Sequence, residues 1–331
     1  MKPLSFALFA SLLPVAGFAA PGVPNAGSIL QQERQARPIT PVPSDTGLRI
    51  EQPAGASLPA SEAFTVKEIR LSGNTLIDTA TLHALVADAL GQAQNLAQLG
   101  DLTARITEYY RAQGYPLARA IIPAQVIQDG VVVFEVIEAR YGKVSVDNRS
   151  LVSDRLLQAT VAPLQSGDAV SDAQMNRVLL LLSDIPGVES AAVLRPGEAV
   201  GTTDLAVSAE AAARVSGKLA IDNYGNAYTG RTRVNGSVSL NNLLHVGDVL
   251  SLEGRSGGEG MNDGRIGYEA LLTGAGTRAG GSYALMQYQL GDSLQYLGAD
   301  GSAEVASLWA KHPLLRSQTA NLYGQLQYDQ L

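Results

Sequence analysis

The 331-residue sequence contains no cysteine. Disulfides, thiol nucleophiles and thiolate metal sites are therefore excluded, which suits an oxidising envelope compartment without establishing one. Charge is scarce as well. Charged residues make up 17% of the chain, against about 25% in an average soluble protein. The net charge of -7 speaks against a nucleic-acid partner. After the first twenty residues no apolar run approaches the ~18–20 residues of a transmembrane helix. Any later membrane span must then be built from strands closed into a barrel. Catalytic signals are also missing. His83, His245 and His312 are scattered over three segments, and no HExxH or Ser-His-acid set is present. GAGTRAG (274–280) has the wrong glycine spacing for a dinucleotide loop, and SGGEG (256–260) lacks the Lys-Ser/Thr end of a phosphate loop. We expect no enzyme, no metal, no cofactor and no small-molecule substrate.

The first segment that is present sets the compartment. Lys2 precedes an apolar stretch from Leu4 to Phe18, and Gly17-Phe18-Ala19 offers small residues where a signal peptidase reads. Residues 1–19 read as a signal peptide, cut after Ala19. Residues 20–37 hold a short helix, AGSILQQERQAR (26–37), whose only large apolar side chains are Ile29 and Leu30. Residues 38–62 carry Pro38, Pro41, Pro43, Pro53 and Pro59, the composition of a solvated, largely extended linker. Two readings of this region stay open: a disordered N-terminus, or a mobile element that docks elsewhere.

Residues 63–140 read as strand, helix, helix, strand, strand. FTVKEIRLSG alternates apolar and polar residues with one slip. Asp78 can cap a helix that stops at Gly91. A second helix, near 96–113, spaces Leu99, Leu102, Ile106 and Tyr109 along one face. LARAIIPAQVI and GVVVFEVIEA are β-rich, with Gln128-Asp129-Gly130 as the turn between them. Residues 141–212 repeat this element order, with helices in SDRLLQATVA and SDAQMNRVLLLLSDI. An internal structural duplication follows from the order of elements, not from residue identity.

After about Arg214 the helical periodicity ends. Seven candidate strands follow at 215–224, 231–240, 248–255, 264–273, 280–290, 303–311 and 319–329. RVNGSVSL sets Val234, Val238 and Leu240 against Arg233, Asn235, Ser237 and Ser239. Eight of the twelve tyrosines and Trp309 fall here, which predicts an apolar outer face, a polar inner face and interfacial aromatics. A soluble β-sandwich is the competing reading. The connections 241–248, 273–280 and 312–317 are short, as periplasmic turns should be; those at 256–264 and 290–302 are longer and polar. Arg231, Arg233, Glu253, Arg265 and Glu269 could line a pore as a belt of paired charges, or simply be solvated in its lumen.

Several ordered motifs resemble the transporters of two-partner secretion, the haemolysin secretion/activation and filamentous-haemagglutinin exporter family. FTVKEIRLSGNT (64–75), YYRAQGYPLARA (109–120) and PAQVIQDGVVVFEVIE (123–138) carry the likeness in the first module. LLSDIPGV (181–188) and LRPGEAVGTTDL (194–205) carry it in the second. DNYGNAYTGRTR (222–233) and HVGD (245–248) carry it where the barrel begins. The resemblance implies an α+β part followed by a β part: two POTRA modules of mixed sheet and two helices, then the first ~7 strands of an antiparallel transmembrane β-barrel, residues 213–331. It also implies an outer-membrane location with the modules in the periplasm. Its partners would be outer-membrane lipid and a large exported protein, an adhesin or haemolysin with an N-terminal secretion domain.

The resemblance assigns client capture to the modules. The surfaces nominated here are the strands at 64–71 and 142–147 and the turns around Asp129 and Gly197, with Val66, Ile69, Leu71, Asp129, Val144 and Val146 as contact residues. It further implies that residues 26–36 plug the barrel at rest, with Ile29, Leu30, Glu33 and Arg34 in a wet lumen. The family's barrel has sixteen strands, which needs more than about 300 residues; 117 follow Arg214. A fragment, a truncated product or half of a split gene is therefore expected, unable to insert or transport alone. A barrel-assembly insertase and a soluble periplasmic scaffold made of the module pair are the alternatives.

Overall fold

The computed structural model describes residues 46–50, 62–225, 228–258, 260–291, 296 and 298–331. The signal peptide, the helix carrying Ile29, Leu30, Glu33 and Arg34, and most of the proline-rich linker lie outside these residues. The described part of the linker is not simply solvated: Leu48–Ile50 forms strand β1.

The first module begins where the sequence alternation slips. Val66 turns fully into the core and Lys67 N–H donates to Gly130 O at 2.8 Å, so the stretch breaks in two. β2 (Phe64–Thr65) pairs with β4 (Ala93–Gln94), and β3 (Glu68–Ser72) runs parallel to β6 (Val131–Ile137). Gly73 follows at φ +81, and a Cβ there would lie 2.2 Å from Val136 O, so the turn requires glycine. Asp78 caps α1 (Thr79–Ala84), its side chain accepting from Thr81 N–H. A single 3-10 turn at 87–89 then leads to Gly91 at φ +78. Asn95 and Gln98 form a reciprocal capping box on α2 (Leu96–Ala112). Leu99, Leu102, Ile106 and Tyr110 are the buried face of α2. Tyr110, not Tyr109, completes it, because the 3.6-residue period carries the stripe to position 110. β5 (Arg119–Ile121) ends before Pro123, shorter than its apolar run predicts. Beyond it the Gln125 side chain stands in for a neighbouring strand, accepting from Val133 N–H and donating to Val133 O, both at 2.8 Å.

The second module repeats the topology. β7 (Arg140–Arg149), β8 (Val188–Pro196) and β9 (Thr202–Ala211) pair as β7 parallel to β9 and β8 antiparallel to β9. α3 (Asp154–Val161) and α4 (Asp172–Ser183) cover one face. β1 joins the β8 edge in parallel and gives the order β1-β8-β9-β7. Leu179 through Leu182 are all nearly inaccessible. A helix that is apolar all round must be covered all round. One side of α4 meets its own sheet. The other side meets the turns of the next unit, where a Cβ on Gly276 would lie 2.6 Å from Leu181. Leu271 of that unit belongs to the core of the second module.

Seven antiparallel strands follow as a simple meander: β10 (Val215–Asp222), β11 (Arg233–Asn241), β12 (Val249–Ser256), β13 (Met261–Leu271), β14 (Arg278–Gln289), β15 (Asp300–Arg316) and β16 (Asn321–Gln330). All seven predicted strands form, and the sheet is open, with β10 and β16 at its edges. The sixth departs most from expectation. It runs through 312–316, which reads as a turn, because a register shift between Pro313 and Leu315 absorbs the proline. The turn itself falls at 317–320, where Ser317 N–H donates to Ala320 O.

Candidate functional site

The nominated edges are sheet edges, and the nominated apolar side chains pack inward to different degrees. Among the described strands β3 pairs only with β6, and β7 only with β9. Val66 and Ile69 are buried in the first core, and Leu71 packs on it half-buried. Val144 and Val146 pack in the same way on the second core. A strand alternates its side chains between two faces, and on these edges the apolar set already faces inward. What remains exposed is backbone, from about Lys143 onward, since residues 139–141 are bonded to 167–170. Asp129 sits exposed at φ +54 in a turn whose next carbonyl, Gly130 O, anchors the start of β3. Its contribution is to hold that strand.

Between the modules lies a cleft of about 470 Å³. Leu117 and Ile137 line it from the first module; Leu194, Gly197 and Val200 line it from the second. Ile50 of β1 reaches its rim. Val200 is 90% exposed, so the cleft is open to water.

At the end of the first module, beside the boundary, stands a buried carboxylate that carries no signal in the sequence. Glu138 accepts hydrogen bonds from Thr75 N–H (2.7 Å), Leu76 N–H (2.8 Å), Tyr110 OH (2.8 Å) and the Thr75 hydroxyl. Burial alone would raise its pKa. The donors from Thr75, Leu76 and Tyr110 outweigh that and hold it below the ordinary carboxylate range. Arg140 bridges outward, donating to Thr75 Oγ1 and to Gly167 O, both at 2.9 Å. Asp172 N–H also donates to Gly114 O across the boundary.

A largely buried ion pair fastens the second module to the strand meander. Arg316 is 1% exposed and meets the Asp184 carboxylate through two nitrogens, at 2.8 and 2.9 Å. Arg278 donates to Asp184 O at 2.6 Å, and Arg177 donates to Pro313 O at 2.9 Å. The turn between β11 and β12 docks as well. Asn242 donates to Pro186 O, and His245 O caps the first turn of α3 by accepting from Ser153 N–H at 2.9 Å. The fully buried Asp248 shapes that turn by accepting from Leu244 N–H. Two turns (242–248 and 272–277) and the end of β15 thus meet one small domain. The chance to foresee this lay in the four leucines and in LLSDIPGV, which contains Asp184.

The meander itself has two faces. Val238, Leu252, Ile266 and Tyr283 lie in one cross-strand row, each more than 40% exposed. The opposite face is polar. Arg233 pairs with Asp222 at 2.9 Å, and Arg255 with Asp263 at 2.7 Å. Glu269 receives Trp309 Nε1 (2.9 Å) and Arg278 (3.2 Å). Glu253 and Arg265 are register partners on this face, and the Arg265 guanidinium lies 5.8 Å from the Trp309 ring centre. Trp309 therefore belongs to the polar wall and not to an interfacial belt. Arg231 differs from the other four nominated charges: it lies before β11 begins, exposed in the first connection. Among the described residues no cluster of His, Asp and Glu could hold a metal ion, and no helix is long and apolar enough to cross a membrane.

Repeated mixed-sheet modules fastened beneath an antiparallel meander with one apolar and one polar face define a class: an outer-membrane β-barrel protein with periplasmic POTRA modules. The comparisons agree. Residues 64–139 match the family model for the ShlB-type POTRA domain, and residues 201–330 match that for the haemolysin secretion/activation protein ShlB/FhaC/HecB. Both of these stretches thus match domains of the haemolysin secretion/activation family. It is 27% identical over 316 residues to the heme/hemopexin transporter protein HuxB of Haemophilus influenzae (strain 86-028NP), covering 93% of this chain and 56% of that protein. It is 28% identical over 185 residues to the outer membrane transporter CdiB of Dickeya dadantii (strain 3937), covering 56% and 32%. The solved structure of CdiB from Escherichia coli superposes with a TM-score of 0.61 at 24% identity, covering 90% of this chain and 55% of that one. CdiB from Acinetobacter baumannii gives 0.56 at 20% identity, covering 91% and 59%. The chain spans about half the length of the curated relatives that it matches along most of its own length.

Proposed function

We propose that these residues serve an outer-membrane exporter that passes a large unfolded partner protein by two-partner secretion. The observation that carries the reading is the coupling of two units. Open sheet edges that can take an extended chain are fastened, through a buried junction, to a wall with a polar face. Backbone pairing at an edge is tolerant of sequence, as capture of an unfolded client requires. The polar face supplies a wet path for it. Arg233, Glu253, Arg265 and Glu269 lie along that path; the helix around Ile29, Leu30, Glu33 and Arg34 is proposed as its plug. A soluble scaffold of the modules alone fits poorly, because removing the strands would bare the outer leucines of α4.

Deleting the complete gene should leave one large exported protein missing from the medium while other outer-membrane barrels stay normal. Broad loss of those barrels would point to an insertase instead. The lipid-facing assignment has its own test in the complete protein. Ile266→Arg should cost roughly 2–4 kcal/mol of folding stability in bilayers, whereas Ser239→Arg on the polar face should cost little. Equal costs would refute the assignment of faces.

A further inference from the structure

The apolar face of the meander is not smooth. A groove of about 630 Å³ crosses it, walled by Leu219, Val238, Leu252, Ile266, Tyr283 and Leu285. Its floor is a row of three glycines on adjacent strands: Gly236 of β11 is the register partner of Gly254 of β12, and Gly254 that of Gly264 of β13. Leu219 and Leu285 flank the row at its two ends. Glu304 comes next after Leu285, exposed and bonded by the Tyr283 hydroxyl at 2.6 Å, so the apolar floor ends there.

Folding does not ask for these glycines. None of the three has a positive φ, and a Cβ on any of them would meet nothing closer than 3.9 Å. Other glycines of the meander differ: a Cβ on Gly267, Gly280, Gly281 or Gly301 would come within 3.0 Å of a neighbour. Glycine weakens a strand, and inside one it often marks the close approach of something else. Among the described residues nothing fills the space above Gly254.

The surroundings decide the occupant. The groove belongs to the face that an outer-membrane barrel turns towards lipid. Water finds no hydrogen-bond partners on such a floor, which leaves hydrocarbon to fill it. The register assigns the leaflet. The turns at 242–248 and 272–277 dock on the periplasmic second module, so the opposite strand ends face outward. At that end Ser256, Asn262 and Gln287 form a polar row, and the glycine row lies two residues below it, about 7 Å. That depth falls in the outer half of a hydrocarbon layer about 30 Å thick.

We propose that this groove seats one acyl chain of the glycolipid that builds the outer leaflet. The seat crosses from β11 to β13, about 10 Å at the ordinary spacing between strands. Glu253 and Arg265 stand on the opposite side of the same strands, so a seated chain braces the wall behind that pair. The proposal rests on the outer-membrane location and goes beyond the exporter reading.

The test uses the complete protein in intact outer membranes. A benzophenone-bearing phenylalanine in place of Tyr283 sets a photoreactive ring on the groove wall with little change of shape. Irradiation should give an adduct that mass spectrometry identifies as the glycolipid. Gly254→Val with Gly264→Val fills the floor with strand-forming residues where a Cβ has room, so the strands should pair as before. The glycolipid adduct should then fall about tenfold, the affinity change expected for losing roughly two buried methylenes. Gly254→Ala should give a smaller fall. The same photoreactive residue in place of Tyr328, exposed on the apolar face outside the groove, should give an adduct that the glycine substitutions leave unchanged. No fall at Tyr283, or an equal fall at both positions, would overturn the proposal. A glycerophospholipid adduct at Tyr283 that the valines abolish would overturn it as well, because the seated chain would then belong to another lipid.

Discussion

Replacing Arg316 with alanine should cost ~3–5 kcal/mol and uncouple the second module from the strand meander. The magnitude comes from what is left behind. Asp184, its side chain 20% exposed, would keep its charge after losing both guanidinium bonds, and a largely buried charge left without its partner is the expensive product of such a change. Replacing both partners tells the pair apart from its surroundings. Asp184→Asn with Arg316→Met keeps the volume, removes both charges and should cost far less than the sum of the single changes. Unfolding in detergent can be followed through Trp309, the only tryptophan, which lies on the same strand as Arg316. Additive single and double effects would show that the pair contributes nothing as a pair.

Glu138→Ala should be at least as damaging, at roughly 3–6 kcal/mol. It strips the acceptor from Thr75 N–H, Leu76 N–H and Tyr110 OH, and each buried donor left unpaired costs about 1–3 kcal/mol. Glu138→Gln should fall in between, because it keeps one oxygen and loses the charge that strengthens every bond. A pH signature accompanies the loss. The folded pKa of Glu138 is depressed, so its contribution is complete above the unfolded carboxylate range. It is lost as pH falls below about 4.5 towards the folded value. The wild-type chain should therefore lose stability more steeply in this acid range than Glu138→Gln. Hydrogen exchange at Thr75 and Leu76 reads the same site locally. Parallel acid profiles for the two chains would remove Glu138 from this role.

Much of the architecture was legible, for identifiable physical reasons. Strand alternation in RVNGSVSL and the helix cap at Asp78 are local signals, and local signals survive folding. VESAAVLRP became β8 at the predicted residues. What was not legible has non-local causes. Nothing near Leu48 announces a strand, because its partner edge is nearly 150 residues away at Ala192. Val66, Ile69, Val144 and Val146 read as contacts because they lie on edge strands. Which face of an edge strand is buried depends on the helices that cover it. Trp309 was assigned to an interfacial belt by composition; its hydrogen bond to Glu269 puts it on the opposite face. Glu138, Arg140, Asp184 and Arg316 escaped notice as charges in ordinary positions. Only tertiary packing buries them together.

The run of leucines on α4 has a consequence for the order of assembly. Leu181 is sealed on its outer side by the turn that carries Gly276, and Leu271 fills the core beneath. A freshly translocated chain whose strands have not yet inserted must display this patch to solvent. Such a surface invites self-association during the wait. The second module therefore reaches its finished form only when the hairpins arrive and cover that patch.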